Sequence, residues 1–212
     1  MIRIENLSRS FGKFSLKRIN FELQSGEFLL LSGHNGAGKT LLLETIAGFW
    51  KPDEGRICIN GRDMLDQQPE MRGIGFVYQD LWLFPHLSAR ENICYGLRIQ
   101  HKGKREIDEK IAFLDNLIEL RDLLSRTNVA LLSGGERQKL ALARTLAVDP
   151  EILFFDEPTH MLDNDSVAVL NRIVAHLKRE QHKTIIYISH RDDKIRELAD
   201  RTITLKDGEM VS

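Results

Sequence analysis

Cysteine is scarce in this chain: Cys58 and Cys94 are the only two among 212 residues, far apart and outside any Cys-x-x-Cys spacing. That excludes a disulfide-stapled scaffold and a cysteine-built zinc site, and it fits a reducing compartment. Long apolar runs are missing as well, since none exceeds four residues where a membrane-spanning helix requires about 20. The opening Met1-Ile2-Arg3-Ile4-Glu5-Asn6 has no signal-peptide core. The expectation is a cytoplasmic protein that reaches a membrane only through a partner. An excess of one charge is also lacking: 30 Lys plus Arg stand against 31 Asp plus Glu, which argues against a nucleic-acid binder working through a broad basic face. His34, His86, His160 and His190 keep no metal-ligand spacing, and there is no internal repeat, low-complexity tract or long linker. What is present, 42% hydrophobic and 29% charged residues, is the composition of a globular chain long enough to bury its own core as one domain over 1–212.

The patterning predicts an α/β fold. Residues 2–5 and 19–23 alternate apolar with polar, as half-exposed antiparallel strands do, and 57–59 and 74–78 read as further short strands. The continuous apolar runs 28–31, 152–155 and 185–188 read as strands buried on both faces. A helix is predicted over 39–49, ended by Gly48 and Pro52, and helical spacing prevails from about 81 to 147. Val167, Leu170, Ile173, Val174 and Leu177 mark a helix between two buried strands, a βαβ unit. The alternating segment 202–205 is followed by the turn signal Asp207-Gly208, and the last strand is read as ending near Lys206. The expected architecture is a mostly parallel sheet with an antiparallel β subdomain and an inserted helical subdomain.

Three segments carry chemistry. Gly33-His34-Asn35-Gly36-Ala37-Gly38-Lys39-Thr40 matches G-x-x-x-x-G-K-[ST] between a buried strand and a helix, the context that motif requires. Its glycines let successive N–H groups face a phosphate, the helix adds its positive end, Lys39 reaches the terminal phosphates and Thr40 can ligate magnesium. Phe154-Phe155-Asp156-Glu157-Pro158 ends a buried strand, where Asp156 can bind magnesium and Glu157 can polarise a water that attacks the γ-phosphate. Leu132-Ser133-Gly134-Gly135-Glu136 opens another helix and offers a second anion cradle. One nucleotide needs only one cradle, so the second is expected to close on a nucleotide held by another copy of the chain in a two-fold pair.

These motifs in this order resemble the ATP-binding subunits of ABC transporters over essentially the whole chain, with a core of the P-loop NTPase kind. The resemblance implies ATP and Mg2+ as ligands, with Leu41 joining Gly33, His34, Asn35, Gly36, Ala37, Gly38, Lys39 and Thr40 around the nucleotide and Phe11 stacking on adenine. It also implies a metal and water contact for Gln79, a γ-phosphate contact for His190, and communication between paired subunits through Asp163. Departures from the family pattern are Glu136 where Gln is usual, His160-Met161 where Ser-Ala is usual, and Arg191 after the switch histidine.

As implied partners, the resemblance gives a second copy of the chain, integral membrane permease subunits that hold it on the inner face of the cell membrane, and a solute-binding protein, with no nucleic acid. The aromatic stretch Leu81-Trp82-Leu83-Phe84-Pro85-His86-Leu87 reads either as core and turn or as a socket for the permease. The segment from Tyr78 to Ile93 is similar to subunits of binding-protein-dependent importers, particularly those for oxyanions such as molybdate, tungstate or sulfate, and also those for polyamines and sugars. An exporter subunit or a soluble ABC-type ATPase is the alternative. With only Asp207 to Ser212 beyond the expected last strand, no C-terminal regulatory domain is expected.

Overall fold

Alternation at the start of the chain builds a long antiparallel ribbon. In the computed structural model, which describes residues 1–160, 162–189 and 193–211, β1 (Ile2–Phe11) pairs with β2 (Phe14–Leu23), Ile2 opposite Leu23 and Phe11 opposite Phe14. Ile2, Ile4, Leu7, Leu16, Ile19 and Leu23 are buried, so one face is core. Both strands extend well beyond the alternating stretches. Register shifts after Ile4 and Leu7 disturb the period of two, and so the sequence signal fades where the pairing does not.

β3 (Phe28–Ser32) is buried along Phe28, Leu29, Leu30 and Leu31 and feeds α1 (Lys39–Ala47). Gly48, at φ 97°, ends that helix by donating its N–H to the Glu44 and Thr45 carbonyls, two residues earlier than predicted. β4 (Glu54–Ile59) and the two-residue β5 (Arg62–Asp63) complete an antiparallel sheet in the order β2-β1-β4-β5.

Beyond β6 (Ile74–Val77) come α2 (Ala89–Ile99), α3 (Lys104–Ile118), α4 (Arg121–Leu124) and α5 (Gly134–Ala147). The helical stretch predicted from about 81 therefore starts at Ala89. Pro85 and a capping box between Ser88 and Glu91 set that boundary. Asn92, fully buried, fixes the preceding loop by accepting from the Phe84 N–H and donating to the Phe84, Leu87 and Ser88 carbonyls.

The chain then runs through β7 (Ile152–Asp156), α6 (Asn164–Arg179), β8 (Thr184–Ile188), α7 (Asp193–Leu198), β9 (Arg201–Lys206) and β10 (Glu209–Val211). β10 corrects the expectation that the last strand ends near Lys206. Asp207-Gly208 is a hairpin turn, and β10 pairs antiparallel with β9. β7 and β8 are parallel, as the βαβ reading requires, and β3 runs parallel to both β8 and β9, giving the order β10-β9-β3-β8-β7.

The chain forms two compact units, Met1–Ile74 with Glu151–Glu157 and Ala175–Ser212, and Gly75–Pro150 with Pro158–Val174. The first holds both β layers over a core that includes Phe154, Phe155, Ile186 and Tyr187. The second is helical, with Ile93, Leu114, Leu140 and Ala143 buried. Among the described residues no helix is long and apolar enough to cross a membrane.

Candidate functional site

The loop after β3 and the end of β7 lie at the carboxyl edge of a parallel sheet, on strands that both flank β8. That edge is where open α/β sheets receive ligands. Gly33 has φ 143°, and a Cβ there would stand 2.2 Å from the Leu205 carbonyl oxygen, so only glycine lets the loop leave the sheet. Gly38, at φ 99°, is the N-cap of α1 and turns the loop into the helix. Ala37 is buried, while His34, Asn35 and Gly36 are exposed and Leu41 is half-buried.

Lys39 is only 5% exposed and folds across its own loop, its Nζ donating to the Gly33 and His34 carbonyls at 3.0 Å each. Burial lowers its pKa, and the charges of Glu157 and Asp156 oppose that shift. Thr40 Oγ1 donates to Asp156 Oδ2 at 2.8 Å. Asp156, 3% exposed, has its carboxyl pushed up to about 6, first by burial and then by the charges of Glu157 and Glu44, against the Thr40 hydrogen bond and Lys39. Glu157 has φ 45°, a strained conformation for a side-chain-bearing residue, and its N–H donates to the Ile188 carbonyl at 3.2 Å. Strain held in place beside two buried charged groups is a mark of functional sites.

Two acids, an ammonium and a hydroxyl thus converge at the phosphate loop. Thr40 and Asp156 fit a magnesium ion: both offer hard oxygens, and the destabilised Asp156 carboxylate gains from a cation. Magnesium is usually held by one or two protein oxygens together with phosphate and water. Phe11, half-buried at the end of β1, meets Trp50 edge to face at 5.5 Å and has the Arg9 guanidinium 5.5 Å from its ring centre.

In the second unit Ser133 caps α5, its Oγ accepting from the Glu136 N–H while Glu136 Oε2 accepts from the Ser133 N–H at 2.7 Å. Glu136 therefore turns back onto its own helix, and this backbone bond holds its carboxyl below the usual range. Arg126 Nη2 lies 3.9 Å from its other oxygen. Gly135 abuts the start of α6: a Cβ there would be 2.5 Å from Ser166 Oγ, and the Ser166 N–H donates to Asp163 Oδ1 at 2.7 Å. The structure therefore brings Ser133, Gly134, Gly135 and Glu136 next to Asp163. Gln79 is exposed in the turn after β6, and His190 lies outside the described residues.

Sequence reasoning passed over Arg144. From α5 its guanidinium donates to the Leu81 and Trp82 carbonyls, and both of those residues have positive φ. Nothing in the local sequence signals that contact, since donor and acceptors are about sixty positions apart.

Residues 16–160 match the ABC transporter family. The molybdate/tungstate import ATP-binding protein WtpC of Methanocaldococcus jannaschii is 38% identical over 212 residues, which is all of this chain and 70% of that protein. The sulfate/thiosulfate import ATP-binding protein CysA of Pseudomonas putida is 40% identical over 98% of this chain and 64% of its own length. Two solved structures are similar at 30% identity over all of this chain and 97% of theirs: a dimeric bacterial ABC transporter cassette, with a TM-score of 0.90, and a dimeric post-hydrolysis cassette bound to ADP and phosphate, with a TM-score of 0.89.

Proposed function

The chain belongs to the ABC transporter family as an ATP-binding cassette, and from that premise we propose that it is the ATP-hydrolysing subunit of an oxyanion importer. The observation that carries the chemistry is the Thr40–Asp156 hydrogen bond, which ties the phosphate loop to the acidic strand end with Lys39 and Glu157 beside it.

The triphosphate lies on the N–H groups of loop 33–40 and the positive end of α1. Lys39, held on carbonyls of its own loop, swings its ammonium from them to hydrogen-bond the terminal phosphates. Thr40 and Asp156 would hold magnesium, which supplies charge neutralisation when bound. Glu157 orients and polarises the water, whose oxygen bonds to the γ-phosphorus as the bond to the β-phosphate oxygen breaks, giving ADP and phosphate. Phe11 contributes stacking to the base. Gln79 and His190 keep their metal-and-water and γ-phosphate roles on the order of the motifs.

A second copy completes the site. Its Ser133, Gly134 and Gly135 close on the γ-phosphate, with Glu136 and Asp163 at the same face, and the dimeric cassettes among the similar structures support that pairing. Residues 1–212 act as one ATP-binding domain in which 81–147 forms the helical subdomain. Trp82, 66% exposed in the loop after Gln79, and Tyr95, 43% exposed on α2, form the socket for integral membrane permease subunits. These hold the protein at the cytoplasmic face of the membrane, while a solute-binding protein delivers the solute to the permease from the opposite face. The molybdate, tungstate and sulfate importers among the relatives favour an oxyanion cargo.

Phosphate release measured on the subunit together with its permease tests this reading. Glu157→Gln is expected to retain nucleotide and lose about a hundredfold or more of turnover, and Lys39→Ala to lose nucleotide binding. Full turnover by Glu157→Gln would remove Glu157 from its role.

A further inference from the structure

We infer that Phe14 is a second aromatic contact for the nucleotide, packing against the nucleoside part of the molecule whose triphosphate loop 33–40 holds; the inference rests on the ATP-binding reading above. Phe14 opens β2, directly opposite Phe11 in the ribbon. Its ring crosses to the phosphate loop, where a Cβ on Gly38 would stand 2.5 Å from Phe14 Cζ and 2.8 Å from Cε1. A Cβ on Gly208, in the turn between β9 and β10, would stand 3.3 Å from the same Cζ. Two glycines thus make a slot that seats the tip of this ring at the residue where the loop becomes α1.

The ring remains half-buried, not enclosed, and it makes no aromatic or cation–π contact among the described residues. Phe11 is differently placed. Its ring is engaged by Trp50 and by Arg9, and Arg9 is itself fixed by Asp53 at 2.7 Å, whose other oxygen accepts from the Ser10 N–H. A nucleotide anchored by its phosphates on this loop places its sugar and base next along the surface. The aromatic already touching the loop, with ring surface open, is Phe14. Stacking on an aromatic face is tolerant of base identity and needs no polar reader.

The alternative is a ring that merely spaces the loop. Binding of MgATP and of magnesium tripolyphosphate, which has the phosphates without the nucleoside, separates the two when measured by calorimetry on wild type and Phe14→Leu. Leucine preserves apolar filling of the glycine slot, and Phe14→Tyr keeps the ring as a rescue. Phe14→Leu is expected to weaken MgATP about fivefold or more while tripolyphosphate stays within about twofold, and Phe14→Tyr to restore ATP affinity. Equal weakening of both ligands, or of neither, would overturn the inference. Failure of the wild-type protein to bind MgATP, or unchanged binding by Lys39→Ala, would instead sink the ATP reading itself.

Discussion

A carboxylate only 3% exposed beside a second acid, as Asp156 is, holds its negative charge at a cost. Its carboxyl titrates at about 6 in the folded chain against an ordinary value of 3.8. The native state therefore binds the proton more readily than the unfolded one. The stability this group contributes is full below pH 3.8 and is lost as pH rises through about 6. Asp156→Asn keeps the shape and removes the charge. In the nucleotide-free protein it is expected to raise unfolding stability at pH 7.5 by about 1–3 kcal/mol, to show little gain at pH 4, and to abolish MgATP turnover. Urea unfolding at the two pH values checks the sign, and a variant less stable at pH 7.5 would contradict it. The sequence places Asp156 at a buried strand end and Thr40 in a phosphate loop. Their hydrogen bond joins positions 116 residues apart, and the strain at Glu157 depends on the Ile188 carbonyl of another strand, so neither was legible from spacing.

Elements were legible where their signals are local. Ser133 with Glu136 carries its capping box within four residues of sequence and sets the predicted start of α5, whereas the equally local box of Ser88 with Glu91 went unread and the helical stretch was placed from about 81. Continuous apolar runs located β3, β7 and β8 because strands buried on both faces need no alternation. The loop between β6 and α2 was not legible, since what fixes it is Asn92 from one helix and Arg144 from another. Arg144→Ala removes a charged donor from two carbonyls whose residues sit at positive φ. It is expected to cost about 1–3 kcal/mol of unfolding stability. Acrylamide quenching of Trp82, read in a Trp50→Phe background, should increase, with Arg144→Lys intermediate. Unchanged quenching would show that the loop holds its shape without α5.

For the whole molecule, the feature to explain is that one chain carries two glycine-bearing helix starts suited to an anion, loop 33–40 in the first unit and the start of α5 in the second. Both were visible in the sequence as glycine-bearing helix starts. The closeness of the second cradle to Asp163, through Gly135 and Ser166, was visible only in the fold. On the function proposed above, composite sites between identical copies would account for the duplication, each nucleotide being held by the loop of one chain and the α5 start of the other. Helix starts of this kind suit phosphate and carry no signal for a transported solute, and so the sequence names the reaction more sharply than the cargo. Sedimentation of the Glu157→Gln protein with and without saturating MgATP tests this account most directly. The account predicts monomer without nucleotide, dimer with it, and monomer again when Ser133→Arg is added although one nucleotide still binds per chain. A Glu157→Gln protein that binds MgATP and stays monomeric, or a dimer indifferent to Ser133→Arg, would contradict it.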